Sequence, residues 1–186
     1  MPEFNIISYN VKGLRDKIKR ATVLNFLKDK IKEGIVCLQE THSSSDSHLA
    51  WKKDWHGEML WNDATSNSAG TGILIALPDY KILQNYQCGS GRLQILSIEI
   101  NSKKFLIINL YNHNNGNGQV DLLVSLNDAL AHFGVIDDHT IVISGDFNLI
   151  YDTSLDARGG NPTLKLRSLA QITKICDKYD LCMRYF

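Results

Sequence analysis

No apolar run in this chain approaches the roughly 18–20 residues that a membrane-spanning helix needs. The N-terminus, Met1-Pro2-Glu3-Phe4, lacks the basic stretch followed by an apolar one that marks a secretory signal. An intracellular protein without a membrane partner is therefore expected. Cysteine is sparse, and Cys37, Cys88, Cys176 and Cys182 never form a C-x-x-C pair. That spacing argues against a zinc site or a disulfide framework. Cys37 stands in an apolar run and is expected to be a buried, reduced thiol. Nor is one charge in surplus: twenty basic residues balance twenty acidic ones. The broad positive surface of a general nucleic-acid binder is thus missing, and so is the Gly-rich loop of a nucleotide hydrolase. No repeat, linker or low-complexity tract divides the chain.

What is present suits one globular domain over residues 1–186, 44% hydrophobic and 22% charged. One basic cluster stands out: Lys12, Arg15, Lys17, Lys19 and Arg20, interrupted by Asp16. Such a run is usually the solvated face of a helix. Its place directly after Asn10 makes Lys12 and Arg15 candidates for phosphate contacts.

Strands and helices take turns along the chain. Phe4 to Tyr9 reads as a strand. From Asp16 to Lys32 the spacing of Ile18, Ala21, Leu24, Leu27 and Ile31 predicts one apolar helix face, with Gly34 as the stop. Ile35 to Leu38 is a wholly apolar strand expected deep in a sheet. Thr41 to His48 reads as a loop running into a short helix near Leu49 to Lys53. Strand candidates follow at 57–61, 72–77, 80–86, 93–100 and 105–111. Turn residues at Pro78-Asp79, Gly89-Ser90-Gly91 and Asn101-Ser102 favour antiparallel neighbours. A helix over Gln119 to Phe133, a buried strand over Thr140 to Ser144, a loop from Gly145 to Pro162 and a helix from about Leu164 to Lys178 complete the pattern. The alternation implies an α/β sandwich with mixed sheets covered by helices.

Polar residues at the ends of buried strands carry the chemistry, because sites are built on such loops. The first strand runs into Asn10. Ile35–Leu38 ends in Gln39-Glu40-Thr41-His42, and the strand beginning at Phe105 ends in Tyr111-Asn112-His113-Asn114. Ile141–Ser144 ends in Gly145-Asp146-Phe147-Asn148. Each motif alone is more often a turn former or helix cap. Together, four strand ends bearing carboxylates and amides suit phosphoester hydrolysis. A hard cation such as Mg²⁺ takes one or two carboxylates and leaves positions for water and a substrate phosphate. Glu40 is the candidate metal ligand, and Asp146 the candidate group that orients or deprotonates water. Asn10, Asn114, Asn148 and Tyr111 would donate hydrogen bonds to phosphate without adding negative charge.

In this order and spacing the motifs resemble the endonuclease/exonuclease/phosphatase superfamily. Their wording is most similar to the abasic-endonuclease-like domain of LINE-type (non-LTR) retrotransposons. Leu155-Asp156 followed by Arg158-Gly159-Gly160-Asn161 is similar to the loop those domains carry after Gly-Asp-Phe-Asn. The resemblance implies a four-layer, DNase I-like α/β sandwich of two mixed sheets flanked by helices. It also implies a Mg²⁺-dependent DNA-nicking endonuclease, with Mn²⁺ as the alternative metal. By that resemblance Glu40 and Asn10 serve the metal, and Tyr111, Asn114, Asp146 and Asn148 serve catalysis. Lys12, Arg15 and Arg158 are candidates to touch nucleic acid, and His42 is supporting. The implied partners are DNA and a reverse transcriptase domain of the same polyprotein. The implied state is a monomer, nuclear where it acts on chromosomal DNA.

The family closes its site with a late carboxylate and a Ser-Asp-His. Neither follows Asn148 here, so the domain is expected to lack its last strands and to be impaired in catalysis. Ser45-Asp46-Ser47-His48 is a decoy with one residue too many, and neither His132 nor His139 is expected to substitute. Two other readings stay open: a phosphoinositide or sphingolipid phosphoesterase of the same superfamily, and a non-catalytic nucleic-acid-binding relic.

Overall fold

The computed structural model describes residues 4–64, 68–114, 116–133, 138–149 and 163–182. The chain divides into two compact units, one of Met1–Tyr111 with Asp138–Asp146, the other of Asn112–Asp137 with Phe147–Phe186.

The first unit holds eight described strands: β1 Asn5–Asn10, β2 Gly34–Gln39, β3 Glu58–Asn62, β4 Thr71–Ala76, β5 Lys81–Gln87, β6 Leu93–Ile100, β7 Lys103–Tyr111 and β8 His139–Asp146. They form two four-stranded sheets in the orders β1-β2-β4-β3 and β5-β6-β7-β8. Both sheets are mixed. The pairs β1–β2 and β7–β8 are parallel and the other neighbours antiparallel. The central strands β2 and β4 are buried along their whole length, which is why they read as unbroken apolar runs. At the edge, β5 is mostly exposed, carries Lys81 and is broken by a bulge between Ile82 and Gln84, features that blunt an edge against further pairing.

The sheets meet through an aliphatic core of Ile35, Cys37, Ile73, Ile75, Leu96, Ile98, Ile100 and Ile107. Burial raises the Cys37 thiol to about 12, against a smaller opposing effect of Ser144. At Cys88, burial is outweighed by the Ser90 hydroxyl and the backbone N–H groups of Arg92, Leu93 and Ser90, which together lower the thiol. A thiol reagent at pH 8 is therefore expected to modify Cys88 and to leave Cys37 untouched until the chain unfolds. Mass spectrometry of the labelled native protein checks this, and early labelling of Cys37 would contradict it.

The other face of the first sheet is covered by helix α1, Lys17–Lys30, and helix α2, Ser45–Trp51. Asp16 caps α1 by accepting the Lys19 N–H at 2.7 Å, and Lys28 and Lys30 suit its C-terminal dipole. Leu24, Leu27 and Ile31 are fully buried, each contributing on the order of 1.5–3 kcal/mol. The expected face was wrong at its start. Ile18 is 79% exposed, while Arg20 is buried. At 100° per residue Ile18 lies about 180° around the helix from Leu27, whereas Arg20 stands one turn before Leu24. The short helix also begins earlier than expected, at Ser45, where the Ser44 N–H donates to Ser47 Oγ at 3.0 Å.

Of the three turns, Asn101-Ser102 has positive φ at both residues (50° and 60°) and closes the β6–β7 hairpin as a type I′ turn. Gly89–Gly91 joins the antiparallel pair β5–β6. Pro78-Asp79 does not make a hairpin, because β4 and β5 belong to different sheets.

The second unit contains helix α3, Gly116–His132, packed on helix α4, Thr163–Lys178. Gln119 ties it together. Its Nε2 donates to the carbonyls of His113 and Asn148 at 2.8 and 2.7 Å, and its Oε1 accepts from Ser168 at 3.1 Å. No helix among the described residues is long and apolar enough to cross a membrane.

Candidate active site

Parallel pairing places Asn10 opposite Gln39 and Tyr111 opposite Asp146, so the C-terminal ends of β1, β2, β7 and β8 deliver their polar residues to one place. Asn10 Nδ2 donates to Glu40 Oε1 and to Asp146 Oδ2, both at 2.9 Å. Its Oδ1 accepts the Lys12 backbone N–H at 3.0 Å, which fixes the end of the amide that faces the carboxylates. Tyr111 donates its phenolic O–H to Glu40 Oε1 at 2.8 Å. Residues separated by up to 136 positions thus share one network.

The loops beyond β1 and β2 are held in costly conformations. Lys12, Glu40 and His42 have φ of 49°, 53° and 53°, uncommon for side chains with a Cβ and often found where function demands it. Backbone hydrogen bonds knit the two loops: Val11 N–H to Gln39 O at 2.9 Å, Gly13 N–H to Glu40 O at 2.6 Å and Leu14 N–H to Thr41 O at 3.0 Å. Gly13, at φ +86°, leaves space for the His42 ring, whose Nδ1 would lie 2.9 Å from any Cβ there.

Burial alone would raise the Glu40 carboxyl. The hydrogen bonds from Asn10 and Tyr111 and the charges of His42 and Lys12 outweigh it and hold Glu40 below the usual range. Tyr111 moves the other way, raised by burial and by the Glu40 carboxylate against an opposing effect of Arg92. At neutral pH the pair is therefore a carboxylate with a protonated phenol, a charge-assisted hydrogen bond.

Sequence reasoning missed Arg92, which follows a turn glycine and belongs to no motif. Its guanidinium carbon lies 4.5 Å from the Tyr111 ring centroid, and Nη1 donates to the Tyr111 carbonyl at 3.4 Å. The Tyr111 N–H donates back to the Arg92 carbonyl at 2.8 Å. Cation–π contacts at such sites are worth about 0.5–1 kcal/mol. Arg92→Ala is therefore expected to lower kcat of any reaction at this site by roughly two- to fivefold, and an unchanged kcat would remove Arg92 from the site.

Of the other sequence candidates, Lys12 and Arg15 are exposed after β1. Asn114 and Asn148 lie in the second unit. There Asn114 is exposed, and Asn148 has φ 50° and donates from Nδ2 to the Asn112 carbonyl at 2.9 Å. Arg158 falls outside the described residues. In the decoy, His48 lies on α2, stacks on Trp61 and meets Asp63 at 2.9 Å. His139 starts β8, roughly 23 Å of strand from Asp146. It contacts Ser97 Oγ at 3.0 Å and lies 2.8 Å from Asp138. His132, on α3, contacts the Asp128 carbonyl.

Among the described residues, no group of three or more His, Cys, Asp and Glu comes together. Glu40 and Asp146, both half-buried and joined through the Asn10 amide, are the donors on offer. Two carboxylates with open positions fit a hard cation such as Mg²⁺.

The sequence model of the Endonuclease/Exonuclease/phosphatase family matches residues 7–172. The chain is 27% identical over 172 residues to the Transposon TX1 uncharacterized 149 kDa protein of Xenopus laevis; this covers 91% of the chain but only 12% of that protein. Among solved structures, truncated TDP2 of Caenorhabditis elegans superposes with a TM-score of 0.61 at 18% identity, over 85% of this chain and 66% of that one. Humanized TDP2 of D. rerio gives 0.58 at 19% identity, over 78% and 66%. These likenesses establish the expected α/β fold of two mixed sheets.

Proposed function

The chain belongs to the endonuclease/exonuclease/phosphatase family, and from that premise we propose that it is a metal-dependent phosphodiesterase that nicks DNA on behalf of a non-LTR retrotransposon. The observation that carries this reading is the junction of Glu40 and Asp146 through the Asn10 amide, with the Tyr111 hydroxyl on Glu40. The transposon relative supports a nucleic-acid substrate. Because the chain spans 12% of that relative's length, a reverse transcriptase domain on the same polyprotein is part of the proposal. So are action in the nucleus and a monomeric domain over residues 1–186. The family match supports a single domain, since residues 7–172 cross both compact units.

Glu40, with Asn10 holding it toward Asp146, would bind the cation, Mg²⁺ or Mn²⁺. When bound, the ion supplies Lewis-acid polarisation of a phosphoryl oxygen. Asp146 would accept a hydrogen bond from the attacking water and take its proton as the P–O3′ bond breaks, with solvent protonating the leaving 3′-oxygen and a 5′-phosphate left on the other end. Tyr111, kept protonated, has a single O–H and would turn it from Glu40 to a phosphate oxygen when substrate binds. Asn114 and Asn148 are proposed, on the family pattern alone, as further neutral donors. Lys12 and Arg15, exposed just after β1, would contact the flanking phosphates, and by the family resemblance so would Arg158.

Supercoiled plasmid incubated with the chain tests the reading. Slow conversion to open circles in Mg²⁺ or Mn²⁺, as an impaired nuclease would give, and none in EDTA is expected, with ends that a polymerase extends. Retention of full nicking in EDTA would sink metal dependence. Cleavage of a phosphoinositide headgroup, with DNA left intact, would move the reading to the lipid branch.

A further inference from the structure

Directly beneath the candidate site, the apolar contact between the sheets is interrupted by two buried amides. Gln39 is 1% exposed and Asn109 0%. Gln39 Nε2 donates to Asn109 Oδ1 at 2.8 Å. Asn109 Nδ2 donates in turn to the Leu38 and Gly72 carbonyls, both at 2.9 Å. Asn109 belongs to β7 of the second sheet, whereas Leu38, Gln39 and Gly72 belong to β2 and β4 of the first. Ser8 on β1 joins from the side, its Oγ accepting from Gln39 Nε2 at 3.2 Å.

Stability alone does not call for this arrangement. Burying two amides is costly unless their hydrogen bonds are made, and the net gain from each bond made is small. What the amides add is direction. The remainder of the contact consists largely of branched aliphatic side chains, whose attraction is non-directional and leaves the sheets free to settle by fractions of an ångström. Three hydrogen bonds between strands of different sheets fix that offset. They do so one residue before Glu40 and two residues before Tyr111, the two side chains that must meet across the sheets at 2.8 Å.

The geometry points to Asn109, acting with Gln39, as a positioning residue that sets the ends of β2 and β7 against each other and so holds Glu40 within reach of Tyr111 and Asn10. The inference rests on the nuclease reading for its consequence in catalysis, but its structural half is read without DNA or metal.

The test uses the full chain with Asn109→Ser, which leaves room for a water to serve the two carbonyls, and with Gln39→Met, which keeps the volume. Misplacement by about 1 Å costs on the order of 10²-fold in rate. Accordingly kcat for nicking falls by about that factor, while KM stays within about threefold. In metal-free, DNA-free protein the Asn10 side-chain amide signals exchange with water about tenfold faster than in the parent. Asn109→Ser combined with Tyr111→Phe costs little more than the larger single change, because both act on one contact. If Asn109→Ser does not fold, Gln39→Met carries the same measurements, since it removes only one of the cross-sheet bonds. A lowered Tm with unchanged kcat and unchanged Asn10 exchange overturns the proposal, and so do losses that multiply in the double variant. If the parent chain nicks no DNA in either metal, the nuclease reading is lost instead, and the Asn10 exchange rates still decide the positioning role.

Discussion

Replacing Glu40 by glutamine is expected to reduce Mg²⁺-dependent nicking by about 10³-fold or more while leaving the fold intact. The substitution keeps shape and an acceptor oxygen, so the hydrogen bonds from Asn10 and Tyr111 at 2.9 and 2.8 Å remain available. What it removes is the negative charge that, on the proposed reading, would attract the cation. Asp146 then stands as the remaining carboxylate of the junction. Plasmid nicking across a Mg²⁺ titration, beside a thermal melt, separates the two effects. A variant that nicks as fast as its parent would remove Glu40 from the metal.

The same substitution carries a signature in pH. Asn10 and Tyr111 hold the Glu40 carboxyl below its usual range despite burial, so its ionised form stabilises the fold. That contribution is fully present above the pKa of the unfolded chain and is lost as pH falls through the lower folded value. The difference in Tm between parent and Glu40→Gln is therefore expected to be constant near neutrality and to change only in the acid range. A difference that changed between pH 6 and 8 would contradict this sign.

Arg20→Ala is expected to produce the largest loss of stability. The guanidinium is buried, with Nε 2.7 Å from Asp54 Oδ2 and Nη1 donating to the Leu14 carbonyl at 3.1 Å. It also lies 5.1 Å from the centre of the Trp51 ring. Removing one member of a buried pair costs about 3–5 kcal/mol. Asp54 keeps 29% side-chain exposure and regains some hydration, which favours the lower end. About 3 kcal/mol corresponds to roughly 6–12 °C in Tm for a chain of this size. Arg20→Met, which restores volume beside Trp51, is expected to lose less, and Asp54→Ala added to Arg20→Ala should cost little more. An alanine variant melting with its parent would show that the pair is surface-like. Because Arg20 holds the Leu14 carbonyl, and Leu14 N–H binds the Thr41 carbonyl at 3.0 Å, the variant should also loosen the loops around Glu40.

Arg20 shows where reading a sequence stops. As one of five cations within nine positions it looked like part of a solvated face. Its burial depends on Trp51 and Asp54, more than thirty residues away, and no local period reports on them. Ile18 misled for the complementary reason: a three-residue spacing drifts around a 3.6-residue helix, and only the sheet underneath decides which stripe is covered. The chain bends at Pro78-Asp79, but whether such a bend closes a hairpin or carries the chain to another sheet is a long-range matter.

The strand-end motifs opened the case, and they mark the same division. The sequence by itself determined that Asn10, Glu40, Tyr111 and Asp146 each stand at the end of a strand, because apolar runs and the polar residues that end them are local properties. That β2 is buried throughout while β1 and β8 stay half-exposed is a tertiary matter. Only the tertiary structure decided that the four converge, since parallel pairing of β1 with β2 and of β7 with β8 aligns strand ends that lie far apart in the chain. It also decided which atom faces which. The Asn10 amide stands between two carboxylates, and Asn109 lies beneath them, looking in the sequence like any polar residue within an apolar strand. Hydrogen bonds are directional and side chains reach only a few ångströms, so these partners were fixed when the two sheets closed on each other.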